Sequence, residues 1–141
     1  MAGREKSPFV RDLLHNLETK QTHLAVFRMW CEEKAPPECH DVLKEVIENT
    51  SQMIDILVQA LKDQGERVPN VLPNPDFIAE AKKQPHSRAR LHFAEQFLRR
   101  SLAWYEERLT RQSTPEEHSV WDRLFTLETN NWARIEDYLS L

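Results

Sequence analysis

The sequence predicts an all-α protein, a four-helix bundle built from two helical hairpins. The chain of 141 residues contains two glycines, Gly3 and Gly65, and its charged residues make up 30% of the total. These charges are spread along the chain, as in long helices rather than in sheets with tight turns. Apolar residues also recur at helical spacing in four long segments. The length suits one domain over 1–141 with a single core.

The first hairpin is marked by helix-capping residues. Ser7-Pro8 is typical of an N-cap followed by proline at the first helical position, which predicts a helix over residues 8–34. Pro36-Pro37 ends that helix. A second helix is predicted over residues 37–64, and Gly65 follows where a left-handed C-cap favours glycine.

Residues 66–87 predict a long crossover between the hairpins. Prolines rule out one continuous helix here, since each removes a helical hydrogen bond. The four are Pro69, Pro73, Pro75 and Pro85. Within this segment Asn74-Pro75-Asp76 predicts the cap of a short helix that ends near Lys83.

The second hairpin is predicted over residues 88–141, after a first hairpin over 8–65. Its first helix covers residues 88–111, and Thr114-Pro115-Glu116-Glu117 forms a capping box that opens the last helix, which runs to about Leu139. The connections are therefore short, long and short. This order predicts that the second and third long helices run parallel.

An internal repeat relates the two hairpins. Pro37-Glu38-x-His40-x-Val42 recurs 78 positions later as Pro115-Glu116-x-His118-x-Val120. Leu14-His15-x-x-Glu18 recurs 77 positions later as Leu91-His92-x-x-Glu95. One match in each helix of the pair indicates duplication of a helical hairpin.

A helical wheel supports the offset of 78 independently of residue identities. At about 100° per residue, the core face of the second helix is carried onto that of the fourth. The first face consists of Val46, Ile47, Thr50, Met53, Ile54, Leu57 and Leu61. The second consists of Leu124, Phe125, Glu128, Asn131, Trp132, Ile135 and Leu139. The same wheel places His15 and His92 on outward faces.

In this arrangement the chain resembles the ferritin-like superfamily, particularly its rubrerythrin-like branch. The resemblance implies a di-iron site, for which each hairpin supplies a glutamate from its first helix and Glu-x-x-His from its second. The first-helix glutamates match Glu18 and Glu95, which lie at the edges of their predicted core faces. The motif of the second hairpin matches Glu128-x-x-Asn131, with asparagine in place of histidine. That of the first falls on Thr50-x-x-Met53, which keeps neither ligand.

Two interpretations of this incomplete site remain open. Two irons are not expected, because Thr50 and Met53 supply neither anionic oxygen nor nitrogen. In the first interpretation no cofactor is bound, and Glu128 is neutralised in the core by Arg28 or Arg108. In the second, a single iron or manganese ion is held by a reduced ligand set. That set is Glu18, Glu95, Glu128 and Asn131.

A further apolar surface is predicted beside the core. Val26 and Trp30 lie on the side of the first helix that faces away from its core. Phe93, Phe97 and Trp104 lie along one flank of the third long helix. The crossover is expected to cover part of this surface. The remainder predicts a homodimer interface, as ferritin-like proteins often form, or a docking site for a protein partner.

Composition narrows the function classes. The net charge of −4, with no block of basic residues, argues against nucleic acid as a partner. No apolar run is long enough for a membrane span, and we expect a cytoplasmic protein in which Cys31 and Cys39 are free thiols. The sequence contains no glycine-rich phosphate-binding loop, no Gly-x-Ser-x-Gly nucleophile elbow and no His-Glu-x-x-His zinc motif, so none of these patterns indicates an enzyme. We therefore expect a binding or interaction protein; the alternative is a rubrerythrin-like metal-binding oxidoreductase.

Overall fold

The computed structural model describes residues 5–33 and 36–141, and this part of the chain contains five α-helices and no strand. The helices are α1 (Pro8–Glu32), α2 (Pro37–Asp63), α3 (Pro75–Lys82), α4 (Ser87–Thr110) and α5 (Pro115–Leu139). The prediction of an all-α protein is confirmed. The predicted end of the first helix at Lys34 lies outside the described residues.

The helix ends follow the capping residues of the sequence. The Ser7 hydroxyl accepts a hydrogen bond from the Val10 amide at 3.1 Å and begins α1. Thr114 and Glu117 form both bonds of the capping box that begins α5. Gly65 has a φ of 74° and closes α2 in the left-handed conformation. These local signals therefore set the helix boundaries.

Contacts along the helices give their directions. Asn16 contacts Tyr105 while Lys20, further along α1, contacts Ser101, which precedes Tyr105 on α4. The helices α1 and α4 therefore run antiparallel. The start of α1 packs with the end of α2, so this pair is antiparallel too. It follows that α2 and α4 run parallel, as the connection lengths predict.

The core has two apolar clusters with a polar layer between them. One cluster joins the start of α1 to the end of α2, and the other joins the end of α1 to the start of α2. Several fully or nearly buried polar side chains lie between the clusters along the helices. They are Lys20, His23, Thr50, Ser101, Glu128 and Asn131. The middle of the bundle is therefore polar, although its two ends are apolar.

Burial supports the offset of 78 between α2 and α5. Thr50 and its counterpart Glu128 are each 1% exposed, and Met53 and Asn131 are each 0% exposed. The positions aligned by the repeat therefore occupy equivalent depths in the core.

The offset of 77 between α1 and α4 is wrong by one residue. Most buried positions of α4 lie 78 residues after a buried position of α1, as Lys20 with Leu98 and His23 with Ser101 illustrate. In this register Glu95 corresponds to buried Leu17, and not to Glu18. One residue is about 100° on a helix, so a single-position slip moves a side chain from the core to the surface. Glu18 is accordingly exposed.

The predicted apolar surface is largely part of the core, because α3 covers it. Val26, Trp30 and Phe97 are 0%, 1% and 2% exposed. The Trp30 indole donates a hydrogen bond to the Ala81 carbonyl of α3 at 3.4 Å. The Phe77 ring of α3 lies 5.4 Å from that of Phe97. The prediction that these three residues form an exposed interaction surface is therefore wrong.

The other two residues of that set are half-buried. Phe93 packs against Phe77 of α3 with ring centroids 5.6 Å apart. Trp104 packs away from α3, against His15 and Trp121. Among large apolar side chains in the described parts of the chain, the exposed ones are Leu72 and Leu141. The homodimer remains a prediction, without the exposed surface on which it rested.

Candidate functional site

A buried ion pair lies in the polar layer. Lys20 of α1 is 0% exposed, Glu128 of α5 is 1% exposed, and the Lys20 Nζ atom contacts Glu128 Oε2. Both groups lose their water here, so each depends on the other for compensation of its charge. The Glu128 carboxylate is therefore neutralised by a lysine, and not by either of the predicted arginines.

Hydrogen bonds complete the surroundings of the carboxylate. The Ser101 hydroxyl accepts from Lys20 Nζ at 2.9 Å and donates to Glu128 Oε2 at 2.5 Å. The side-chain amide of Asn131 donates to Glu128 Oε1 at 3.3 Å. Asn49 in turn donates to Asn131 Oδ1 at 2.9 Å. Both carboxylate oxygens are therefore engaged by protein donors.

The ammonium side of the pair involves His23 and Tyr105. Burial lowers the pKa of the Lys20 ammonium well below its ordinary value, since the charged form loses hydration, and the contact with the Glu128 carboxylate opposes this loss by favouring the charged form. The pKa of His23 is lowered as well, mainly by burial and to a smaller extent by the positive charges of Lys20 and Arg100. A neutral His23 accepts at Nδ1 from Lys20 Nζ, 3.3 Å away, and carries its proton on Nε2. The Tyr105 ring centroid lies 5.5 Å from the ammonium.

The two arginines predicted to neutralise Glu128 lie elsewhere. Arg28 is exposed on α1. Arg108 Nε lies 3.2 Å from Asp12 Oδ2, and its guanidinium stacks on Trp104 at 3.4 Å from the ring centroid. The ionic network expected around Glu128 therefore exists, but Lys20 supplies its cation.

The structure brings together part of the predicted metal-ligand set. Glu128 and Asn131 are hydrogen bonded to each other. Glu95 is 6% exposed, accepts from the Trp132 indole at 3.2 Å and pairs with Arg99. Glu18 is exposed and does not join them. Among the described residues, no group of three or more His, Cys, Asp or Glu side chains is arranged to hold a metal ion.

The residues present do not fit the di-iron centre that the resemblance implies. In the corrected register, the ligand positions of the first hairpin hold Leu17, Thr50 and Met53. Leu17 offers no donor atom, and the Thr50 hydroxyl already donates to the Val46 carbonyl at 2.6 Å. Hard and borderline cations need anionic oxygen or nitrogen ligands, which these three residues do not supply. The Lys20 ammonium already meets the negative charge of Glu128.

A cleft opens beside the ion pair, between α1 and α4. These two helices are the most loosely packed adjacent pair of the bundle. The cleft has a volume of about 300 Å³. Its lining combines aromatic rings with polar side chains. The residues are His15, Asn16, Glu18, Thr19, Thr22, His23, Asn74, Phe77, Phe97, Arg100, Ser101 and Trp104. We call it the α1–α4 cleft.

Two aromatic groups form the walls of the α1–α4 cleft. His23 lies against Phe97 with ring centroids 4.3 Å apart, near Phe77 of α3. His15 and Trp104 form the second group, with centroids 5.7 Å apart. A concave site that joins apolar walls to a few polar groups is typical of small-molecule binding. His15 is exposed, as predicted, and no sequence pattern indicated the cleft.

The crossover is tied to the same cleft. The Thr22 hydroxyl accepts from the Asn74 backbone amide at 2.9 Å and donates to the Glu18 carbonyl at 3.0 Å. The Asn74 side chain caps α3 by accepting from the Asp76 and Phe77 amides. The start of α3 is therefore held at one end of the cleft.

The cysteines do not extend the site. Cys31 and Cys39 are free thiols, as expected. Cys39 is 2% exposed, and burial raises the pKa of its thiol. A buried thiol with a raised pKa is a poor nucleophile.

Comparison of the chain with protein-family models, curated proteins and solved structures gives no significant match. Within the described residues, no helix combines the length and apolar character that a membrane span requires. The ion pair and the α1–α4 cleft are therefore the features that bear on function.

Proposed function

We propose that this chain is a binding protein with a ferritin-like bundle, in which an internal ammonium group takes the place of metal ions. The observation that carries the proposal is the contact of the Lys20 ammonium with Glu128 in the middle of the bundle. It supports a protein that acts through binding rather than through metal chemistry.

Charge balance is the physical basis of the proposal. A metal ion at Glu128 would have to displace or approach a buried ammonium group, and like charges in a medium of low polarity repel strongly. The Ser101 and Asn131 side chains donate to the carboxylate oxygens that would otherwise bind the ion. This arrangement favours a metal-free core.

The α1–α4 cleft is the binding site that we propose. It is the side of the bundle where adjacent helices pack least closely, and polar side chains from both helices reach it. The apolar residues predicted to form an interaction surface are mostly covered by α3. A small ligand therefore has better support than a large apolar interface.

The alternative function is a metal-binding oxidoreductase with a reduced ligand set. One observation favours it: Glu95 and Glu128, both on the second hairpin, are buried carboxylates. Buried carboxylates are common at functional metal sites. Against this alternative, neither α1 nor α2 supplies a matching pair of buried carboxylates.

Oxidation of Fe²⁺ by oxygen distinguishes the two functions. We expect the wild-type chain to leave the rate equal to that of a protein-free solution, because Lys20, Ser101 and Asn131 already engage the Glu128 carboxylate. Glu128→Gln and the surface control Glu48→Gln should behave alike, since Glu48 is exposed on α2. An acceleration that Glu128→Gln abolishes, and Glu48→Gln does not, would favour the oxidoreductase.

A further inference from the structure

We propose that the α1–α4 cleft binds a small planar aromatic molecule that carries a negatively charged group, with Arg100 as the residue that recognises the charge. This inference rests on the proposed function, because it names the class of ligand for the proposed binding site.

The aromatic lining favours a flat ring. One group of rings, His23, Phe97 and Phe77, lies at one end of the cleft. The second group, His15 and Trp104, lies at the other. Aromatic rings pack against each other in stacked and edge-to-face geometries that a flat ligand can adopt. These walls therefore suit a planar ring better than a branched aliphatic chain.

The size of the cleft limits the ligand. Its volume of about 300 Å³ lies at the lower end of the range of small-molecule sites. One or two fused rings with a short substituent fill such a space. Larger cofactors, such as dinucleotides, do not fit within it.

Arg100 is the available cation of the cleft. It is exposed on α4 at the rim of the cleft, and it forms no hydrogen bond or ion pair with another described residue. Its neighbours on α4 differ, since Arg99 pairs with Glu95 and Arg108 pairs with Asp12. A guanidinium without a partner can bind a carboxylate through two parallel hydrogen bonds. Arg100 is therefore suited to recognise an anionic group.

The buried end of the cleft offers a hydrogen-bond donor rather than a second free cation. Lys20 is already paired with Glu128, so Arg100 is the cationic residue that a ligand meets in the lining. The Nε2–H of a neutral His23 is a further hydrogen-bond donor in the lining, whereas the Thr19 hydroxyl already donates to the His15 carbonyl at 3.2 Å. Glu18, at the exposed rim of α1, has the opposite sign and should weaken anion binding. Removing the charge of Arg100 should therefore weaken the binding of an anion, and removing the charge of Glu18 should strengthen it.

Three indole compounds test the ligand class, because they share a ring and differ in charge. Indole-3-acetate is anionic, indole-3-acetamide is neutral and tryptamine is cationic at neutral pH. We would titrate each into the full chain at concentrations up to about 5 mM, using calorimetry or NMR shifts. The expected order of affinity is acetate, then acetamide, then tryptamine.

Two variants separate charge recognition from ring binding. Arg100→Gln should weaken indole-3-acetate about tenfold and leave the acetamide unchanged, because one charge-assisted interaction is lost. Glu18→Gln should tighten indole-3-acetate. Both side chains are exposed, so thermal unfolding of both variants should match the wild type and exclude misfolding.

Several outcomes would overturn the inference. Equal affinity for all three compounds would mean that the cleft recognises rings without regard to charge. If tryptamine bound most tightly and Glu18→Gln abolished this binding, the cleft would prefer a cationic ligand instead of an anionic one. Absence of binding by all three would remove the ligand class, while the iron-oxidation assay would still decide the proposed function by itself.

Discussion

Lys20→Met should lower the free energy of unfolding by about 3–5 kcal/mol, because it leaves the Glu128 carboxylate buried without its cation. Methionine keeps most of the side-chain length, so the lost charge rather than a large cavity dominates the effect. Urea unfolding followed by circular dichroism measures the change. Arg28→Met is the matched control, since Arg28 is an exposed cation on the same helix. Its effect should stay within about 0.5 kcal/mol.

A double variant tests whether the two charges act as a pair. Lys20→Met combined with Glu128→Leu removes both charges, and apolar replacement of a buried ion pair is often neutral or stabilising. We expect the double variant to be more stable than Lys20→Met alone. Simple addition of the two single effects would show that Lys20 and Glu128 contribute independently, which contradicts the ion pair.

Trp30→Ala should also lower the free energy of unfolding by about 3–5 kcal/mol, because it empties a large volume in the core under α3. The variant also leaves the Ala81 carbonyl without the indole donor. Leu72→Ala is the control, since Leu72 is 76% exposed on the crossover. Its effect should stay within about 0.5 kcal/mol.

Sedimentation of the same variant addresses the predicted homodimer. If Trp30 is a core residue, Trp30→Ala should reduce stability without changing the state of association. A variant that keeps wild-type stability but dissociates a wild-type dimer would instead place Trp30 at an interface and contradict its burial under α3.

The helices could be predicted because their boundaries depend on local chemistry. Ser7, Thr114 and Gly65 each satisfy or terminate the backbone hydrogen bonds of their own helix. These interactions involve residues a few positions apart, so a single sequence contains the information. The parallel course of α2 and α4 followed from connection lengths, which are also visible in the sequence.

The buried cation could have been found from helical spacing. Lys20 lies in the apolar stripe of Leu13, Leu17, Leu24 and Phe27, at alternating steps of four and three residues. A charged residue in the centre of such a stripe indicates a buried charge that needs a partner. Alignment of the first helices by their His-x-x-Glu letters instead matched Glu18 with Glu95, and Arg28 or Arg108 was predicted to neutralise Glu128.

The packing of α3 over Trp30 could not be predicted from the periodicity of the sequence. Where α3 packs depends on long-range contacts, such as those of Phe77 with Phe93 and Phe97. The short helix itself was predicted from Asn74 and its prolines. Its position over the apolar flank is a tertiary property, as is the loose packing of α1 against α4 that opens the cleft.

Metal content is the most direct test of the claim that a lysine replaces metal in this core. The chain would be produced in medium supplied with iron and manganese, purified without chelator and measured by elemental analysis, beside Glu128→Gln. We predict substoichiometric metal in both proteins, because Lys20, Ser101 and Asn131 already engage the Glu128 carboxylate. One or two iron or manganese ions per wild-type chain, lost in Glu128→Gln, would contradict the account.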